Sequence, residues 1–409
     1  MAKKQNPIIS VIGCLVAMIC IGIIYLWSVL KGAAMEYYGW TLSAANLVAS
    51  FMLFAFCIGN FVGGALNDRF GPKNICTIGV AMFGVGLYLA SILPAGSSVI
   101  LFYLTYCIVG GLGVGIAYGA LLSCIQKWFP HKRGFATGIA TAFFGLSTVV
   151  FSPIMGSMLN RMNVSALLRF WSLLFFYVGM IACFFVQLPN EEYLSKLPKP
   201  APKKSAITTA KEMPLKEAIK TLPFWCLLLN IFFYNGTWNM LNPLIRGLGE
   251  ARGLTPSVAI ACVSLTGLFN AAGRFTMSSL SDKIGRTTTV IILSVVTIVC
   301  ALLLTFVSGY GYLVVVLITA FAFGGPSAVN PATSTDLFGA KSSGANYGVI
   351  MLSLGVSSLF FNAISNAMYE ATGAYTLTFI MGAVTALITI GLMVIINRTL
   401  KKQKEQANG

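Results

Sequence analysis

The feature that most constrains this chain is an apolar run long enough to cross a bilayer, repeated twelve times from end to end. The runs fall near 8–30, 43–66, 74–93, 99–127, 134–160, 166–188, 223–247, 256–281, 287–307, 311–335, 343–368 and 374–397. About 20 helical residues at ~1.5 Å rise cover the ~30 Å hydrocarbon layer. Backbone polar groups in hydrocarbon must be satisfied within their own segment, so runs of this length predict helices. With 57% hydrophobic and 9% charged residues, little chain remains for a soluble domain. The predicted class is an all-α membrane protein of twelve transmembrane helices in two six-helix halves, 1–188 and 223–409, joined by a cytoplasmic linker at 189–222.

A net charge of +16 would suit nucleic acid, but the placement of the basic residues excludes that partner. If both termini are cytoplasmic, the inside segments hold Lys3, Lys4, Arg69, Lys73, Lys127, Lys132, Arg133, the linker lysines, Lys283, Arg286, Lys341, Arg398, Lys401, Lys402 and Lys404. The outside keeps only Lys31, Arg161, Arg169, Arg246 and Arg252, with Arg274 inside a span. This is the positive-inside asymmetry, and the lipid bilayer is the partner it implies. The first run is span-length and lacks a small-residue cleavage site, so the first helix is expected to stay. The ten cysteines are scattered through apolar stretches and read as small packing residues. The single histidine, His131, lies in a basic loop, so neither a metal site nor a cofactor is expected. The spans offer no nucleophile with a base, which argues against an enzyme.

The two halves echo one another. Asn67-Asp-Arg-Phe-Gly-Pro-Lys73 follows the second span and Ser281-Asp-Lys-Ile-Gly-Arg286 follows the eighth. Phe129-Pro-His-Lys132 and Phe338-Gly-Ala-Lys341 each enter the fifth helix of their half. The linker is Pro-rich and basic, with a short amphipathic helix predicted from Pro214 to Lys220. Gly111, Gly115 and Gly119 recur every four residues, a stripe that lets the fourth helix approach a neighbour closely. Repeated halves of this kind belong to alternating-access transporters, whose substrate sites lie near the midplane.

The segment Gly64-x-x-x-Asp68-Arg69-x-Gly71-Pro72-Lys73 resembles the signature of the major facilitator superfamily, departing from it at Pro72. The second copy has Ser278 for the leading glycine and keeps Asp282, Lys283, Gly285 and Arg286. The resemblance implies the major facilitator fold over essentially the whole chain. A carboxylate and basic residues at helix ends can make an ion-pair latch, so Asp68, Arg69, Asp282, Lys283 and Arg286 are read as cytoplasmic gating residues. Such residues should affect transport rate more than substrate choice.

Arg274 is the one ionisable residue deep inside a span. It lies about eight residues before the loop that starts at Asp282, roughly 12 Å inside the helix end at ~1.5 Å per residue. A charge near the bilayer centre costs roughly 2.5 kcal/mol or more and normally faces a polar cavity. The spans supply no buried carboxylate beside it, so the reading is an anionic substrate. Guanidinium matches carboxylate oxygens in a bidentate fork. Asn270, one turn earlier on the same face, can hydrogen-bond the substrate or hold Arg274 in place. Tyr25 and Tyr118 are phenols in apolar runs that serve either the site or the packing. Trp238 and Asn330 complete the candidate set, and Trp27 is a weaker candidate.

A narrower resemblance joins Thr221-Leu-Pro-Phe-Trp225, Gly113-Val-Gly-Ile-Ala-Tyr-Gly119, Lys127-Trp-Phe-Pro-His-Lys-Arg-Gly134, Asp336-Leu-Phe-Gly with Asn346-Tyr-Gly348, and Leu268-Phe-Asn-Ala-Ala-Gly-Arg274. These look like the oxalate/formate antiporter family and the related monocarboxylate transporters. The resemblance implies that Arg274 is the substrate arginine and that Tyr25 and Tyr118 lie near the substrate. It implies small carboxylates as substrates and a bacterial cytoplasmic membrane as the location, with a monomer able to function alone. Leu354 stands where the family's oxalate exchanger carries a lysine, and Phe323, Ser327 and Met351 stand where its aromatics box in oxalate. One positive charge suits one carboxylate, so a monocarboxylate such as lactate, pyruvate or formate is expected. Oxalate/formate-type exchange and a non-transporting anion sensor are the alternatives. Asn270 replaces an aspartate found in proton-coupled relatives, which favours a counter-anion over a proton as the coupling partner.

Overall fold

The computed structural model describes residues 7–196, 212–339 and 341–408, and each apolar run is helical over most of its length. The first half comprises α1 (Pro7–Ile21), α2 (Trp27–Tyr38), α3 (Leu42–Phe70), α4 (Pro72–Ser91), α5 (Val99–Phe102), α6 (Gly111–Trp128), α7 (Arg133–Leu159) and α8 (Val164–Phe184). Two short helices, α9 (Glu191–Lys196) and α10 (Leu215–Ala218), belong to the connector. The second half comprises α11 (Leu222–Leu241), α12 (Ile245–Ala251), α13 (Pro256–Ile284), α14 (Arg286–Leu303), α15 (Gly309–Phe338), α16 (Ser343–Thr372) and α17 (Thr376–Asn408). The protein is thus an all-α membrane protein of twelve spans in two halves.

Ten helical stretches among the described residues are long and apolar enough to cross a membrane. The other two predicted spans, the first and the seventh, are interrupted rather than continuous. α1 passes through a 3₁₀ turn, Gly22–Leu26, into α2, and α11 passes through Asn242–Leu244 into α12. Pro243 accounts for the second break, because it has no N–H to return to the turn before it. The first break has no proline; there the Phe144 carbonyl of α7 presses against Gly22. A π-helical stretch, Tyr103–Gly110, joins α5 to α6 within the fourth span.

Helix ends follow local chemistry. Thr41 Oγ1 accepts the Ala44 N–H, and Asn163 Oδ1 accepts that of Ala166, so both side chains serve as N-caps. Pro72, Pro223 and Pro256 occupy first-turn positions, where a missing N–H costs nothing. The echoed motifs also end alike. Gly71 (φ +81°) and Gly285 (φ +98°) close α3 and α13 in a backbone conformation that side chains resist, and each donates its N–H to the carbonyl four residues back.

Contacts divide the chain into two compact units. The first takes in the described part of Met1–Lys204 with Ser342–Gly355, the second that of Ser205–Lys341 with Val356–Gly409. In the first unit the glycine stripe of α6 lies on α3. A Cβ added at Gly115 would sit 2.1 Å from the Phe56 carbonyl oxygen and 2.5 Å from the Asn60 nitrogen. In the second unit a core of Leu241, Ile245, Tyr312 and Phe379 packs beneath Arg252. Arg252 Nη1 donates to the carbonyls of Leu304 (2.6 Å) and Val307 (2.9 Å), placing a cation at the C-terminal end of α14, where the helix dipole favours it. Of the predicted Pro214–Lys220 helix, Leu215–Ala218 is α-helical, and turns carry it on to Lys220. Just before it, the Met213 N–H donates to the Phe338 carbonyl (2.9 Å) and a Glu212 carboxylate oxygen accepts the Lys341 N–H (2.9 Å). Residues 197–211 of the predicted linker lie outside the described residues.

Replacing Gly115 by Val should force α3 and α6 apart and cost ~1–3 kcal/mol or more, as overpacked cores do. Thermal unfolding of the detergent-purified protein should show the lowered midpoint.

Candidate functional site

The site candidates of the second unit are positioned by one tight helix crossing. A Cβ at Gly273 would lie 2.1 Å from the Phe321 carbonyl oxygen, and one at Gly324 would lie 2.1 Å from the Asn270 carbonyl oxygen. Only glycine permits this reciprocal approach, which presses the Asn270–Arg274 turn of α13 directly on the Phe321–Gly324 turn of α15. Arg274 is 5% exposed, and its Nε donates to Asn270 Oδ1 at 2.7 Å. A hydrogen bond to a charged group contributes about 1.5–3 kcal/mol. Asn270 is one turn toward the N-terminal end of α13, so the guanidinium reaches away from the Asp282 end of its helix.

α11 faces α15 through a ladder of polar and aromatic pairs. Asn230, Tyr234 and Trp238 follow each other at one-turn intervals on α11. Asn230 Nδ2 donates to Asn330 Oδ1 at 3.1 Å, Tyr234 bonds through its hydroxyl to Ser327 Oγ, and Trp238 stacks on Phe323 with centroids 5.0 Å apart. Tyr234 also stacks on Phe323, at 5.5 Å. Each step along α11 therefore meets a step back along α15. Asn230 and Asn330 are 0% and 1% exposed, while Tyr234, Trp238, Phe323, Ser327 and Asn270 are half-buried. Pro326 and Pro331 lie within α15 and leave the carbonyls four residues before them without their helical donors.

The structure thus brings Arg274 and Asn270 together and sets Trp238 and Asn330 on one α11–α15 seam. Tyr118 belongs to the first unit, buried and edge-on to Phe56 (5.2 Å) and Phe144 (5.0 Å). Tyr25 falls in the 3₁₀ turn of the first span, and its side chain lies outside the described residues. Trp27 donates its indole N–H to the Ala45 carbonyl at 2.8 Å and is 4% exposed, a packing arrangement. The sequence reading missed Tyr234. Its one-turn spacing from Asn230 and Trp238 was the available signal.

Arg286 makes three bonds within its own unit: Nη2 to Asp282 (2.7 Å), Nε to Asp336 (3.0 Å) and Nη1 to Ser281 Oγ (2.6 Å). Asp336, from the end of α15, is a partner that the repeat motif alone does not reveal. In the first half the Arg69 guanidinium lies over the Phe70 ring at 5.2 Å, and the Asp68 side chain lies outside the described residues.

Twelve spans in echoed halves, with one guanidinium buried in the eighth, define a membrane carrier rather than a soluble binding protein. The chain belongs to the Major Facilitator Superfamily, whose family model matches residues 12–237 and 227–409. Among curated relatives, the oxalate:formate antiporter of Oxalobacter formigenes is 28% identical over 374 residues, covering 91% of this chain and 86% of that one. The apicoplast pyruvate carrier 1 of Toxoplasma gondii is 24% identical over 500 residues, covering 95% and 88%. Among solved structures, the human organic anion transporter MFSD10 superposes with a TM-score of 0.72 at 13% identity, covering 96% of this chain and 100% of that chain. FucP in its outward conformation gives 0.71 at 14% identity, covering 95% and 98%. At those identities the solved structures bear on the fold alone.

Replacing Arg286 by Ala removes the group that Asp282 and Asp336 share. Maximal transport rate should fall, since the change unties the ends of α13, α14 and α15 that the partly buried Arg286 joins. The order in which competing solutes inhibit should stay unchanged, a split that competition assays on the reconstituted variant would read.

Proposed function

We propose that this chain is a secondary active transporter of small monocarboxylate anions working by alternating access. The observation that carries the reading is Arg274, 5% exposed in the middle of α13 and steadied by Asn270 at 2.7 Å. A planar guanidinium held in this way presents N–H groups in the fork geometry that a carboxylate matches. Phe323, on α15 beside it, and Trp238, stacked on Phe323 from α11, offer apolar faces for the short carbon skeleton. Tyr25, Tyr118 and Asn330 are assigned supporting contacts, and Asp68, Arg69, Asp282, Lys283 and Arg286 a role in gating. The names of two relatives, an oxalate:formate antiporter and a pyruvate carrier, support small carboxylates as the substrate class.

Charge count favours one carboxylate over two. Leu354 occupies the position where the resemblance implies a lysine in oxalate exchangers, and no Lys or Arg lies between Lys341 and Arg398. Exchange of one anion for another is the coupling mode assigned here. Asn270 is neutral at every physiological pH, so the residue one turn from Arg274 cannot take up a proton. The distribution of basic residues supports cytoplasmic N and C termini, and the bacterial relative supports the cytoplasmic membrane of a bacterium.

Proteoliposomes preloaded with unlabelled substrate, or empty, should be offered labelled lactate, pyruvate, formate and oxalate. Saturable uptake of a monocarboxylate that Arg274→Gln abolishes is the expected result. Uptake into preloaded vesicles should exceed that into empty ones at least about tenfold. Equal rates in the two would defeat exchange, and no uptake of any of the four would defeat the carboxylate reading.

A further inference from the structure

Asn230 and Asn330 are both fully buried, and the single hydrogen bond they share does not satisfy two amides. Asn230 Nδ2 donates to Asn330 Oδ1 at 3.1 Å, which leaves over Asn230 Oδ1 and Asn330 Nδ2. Both atoms are buried without a hydrogen-bond partner among the described residues, and so is Ser334 Oγ. Ser334 lies one turn beyond Asn330 on the same face of α15 and is 0% exposed. Turning both amides over exchanges the atoms but not the count. Two amides sharing one N–H···O bond always leave one carbonyl oxygen and one NH2 group.

The space around these atoms is closed at both ends by the ladder itself. Its rungs run Trp238–Phe323, Tyr234–Ser327 and Asn230–Asn330, and further on Phe224 meets Phe338 with ring centroids 5.9 Å apart. Between the last two rungs the register sets Cys226 of α11 opposite Ser334. Cys226 is 4% exposed, and a thiol is a weak donor, so it walls the space without meeting the hydroxyl. Pro331 gives the Ser327 carbonyl no helical donor, so the same stretch of α15 has a backbone acceptor to spare. Inside a span, each buried polar atom left unmet costs free energy comparable to a lost hydrogen bond.

The chemistry of the set identifies its ligand. It holds one acceptor, one donor and a hydroxyl that can act as either. A metal cation would meet the NH2 group, and an anion the amide oxygen, with the wrong polarity. A molecule that both donates and accepts suits all three. Size sets the second limit. Side chains one helical turn apart have Cβ atoms roughly 5–6 Å apart, and one oxygen atom bonded to two partners spans about 5.5 Å.

We propose that Asn230, Asn330 and Ser334 bind one ordered water molecule that ties α11 to α15 inside the second unit. The water donates to the free amide oxygen, accepts from the free NH2 group and makes its third bond with Ser334 Oγ. About three bonds to otherwise unmet polar groups is the usual complement of a buried water. This water is a constituent of the fold, held with or without a transported solute. The proposal therefore goes beyond the transport reading and does not depend on it.

The test uses the full chain, purified without added carboxylate. A structure determined at a resolution that shows water should carry one peak within roughly 3.2 Å of all three atoms. Ser334→Ala takes away one of the three bonds and should lower the thermal midpoint by a few degrees. A dry site predicts the reverse, because alanine then removes a hydroxyl that nothing meets. A midpoint unchanged or raised overturns the proposal. If Ser334→Ala cannot be purified, the density decides. No peak among the three atoms, or a peak that appears only when carboxylate is added, overturns the proposal. Neither result alters what the Arg274→Gln uptake assay says about transport.

Discussion

A guanidinium buried in a membrane span has to be oriented by the protein before it can serve a ligand, and in this chain that task falls to one turn of α13. Asn270 holds Nε of Arg274 at 2.7 Å, and the turn that carries both is backed by α15 with no side chain between the two backbones. Remove the space that Gly273 and Gly324 leave open and the turn has nowhere to sit. The surrounding aromatic stack, the two prolines of α15 and the Arg286 cluster at its far end all hang on the same pair of helices. Precision at a charged site in a low-dielectric setting comes from rigid backing of this sort.

The two halves show how one repeat can be kept in outline and diverge in content. Gly71 and Gly285 close their helices with the same positive φ and the same return hydrogen bond. The following residues differ, Pro72 in one and Arg286 in the other. The proline opens a helix by giving up a donor that would be idle there, whereas the arginine gathers Asp282, Asp336 and Ser281. The buried cation and the polar ladder of α11 and α15 belong to the second unit. In the first, the corresponding effort goes into close helix packing along Gly111, Gly115 and Gly119.

The spans were legible because hydrocarbon leaves the backbone one cheap solution, and a run such as 287–307 announces itself by composition alone. Arg274 was legible for the opposite reason, as an expensive residue with no structural excuse. The interruptions at Gly22–Leu26 and Asn242–Leu244 were not anticipated. A 3₁₀ turn lengthens the helix by only about 0.5 Å per residue and leaves hydropathy untouched, and in the first span the backbone that closes on Gly22 lies in α7, over a hundred residues away. Tyr234 was hidden in another way. An aromatic residue in an apolar run reads as packing until its partner is known, and Ser327 is 93 positions further on. Asp336 likewise became part of the Arg286 cluster only when the end of α15 was placed beside the start of α14.

The ladder between α11 and α15 carries a consequence for descent as well as for chemistry. The buried cation is carried by α13, while the polar and aromatic pairs are carried by the other two helices. A lineage can therefore vary the ladder by single changes at positions 234 or 327 without disturbing the turn that holds Arg274 to Asn270.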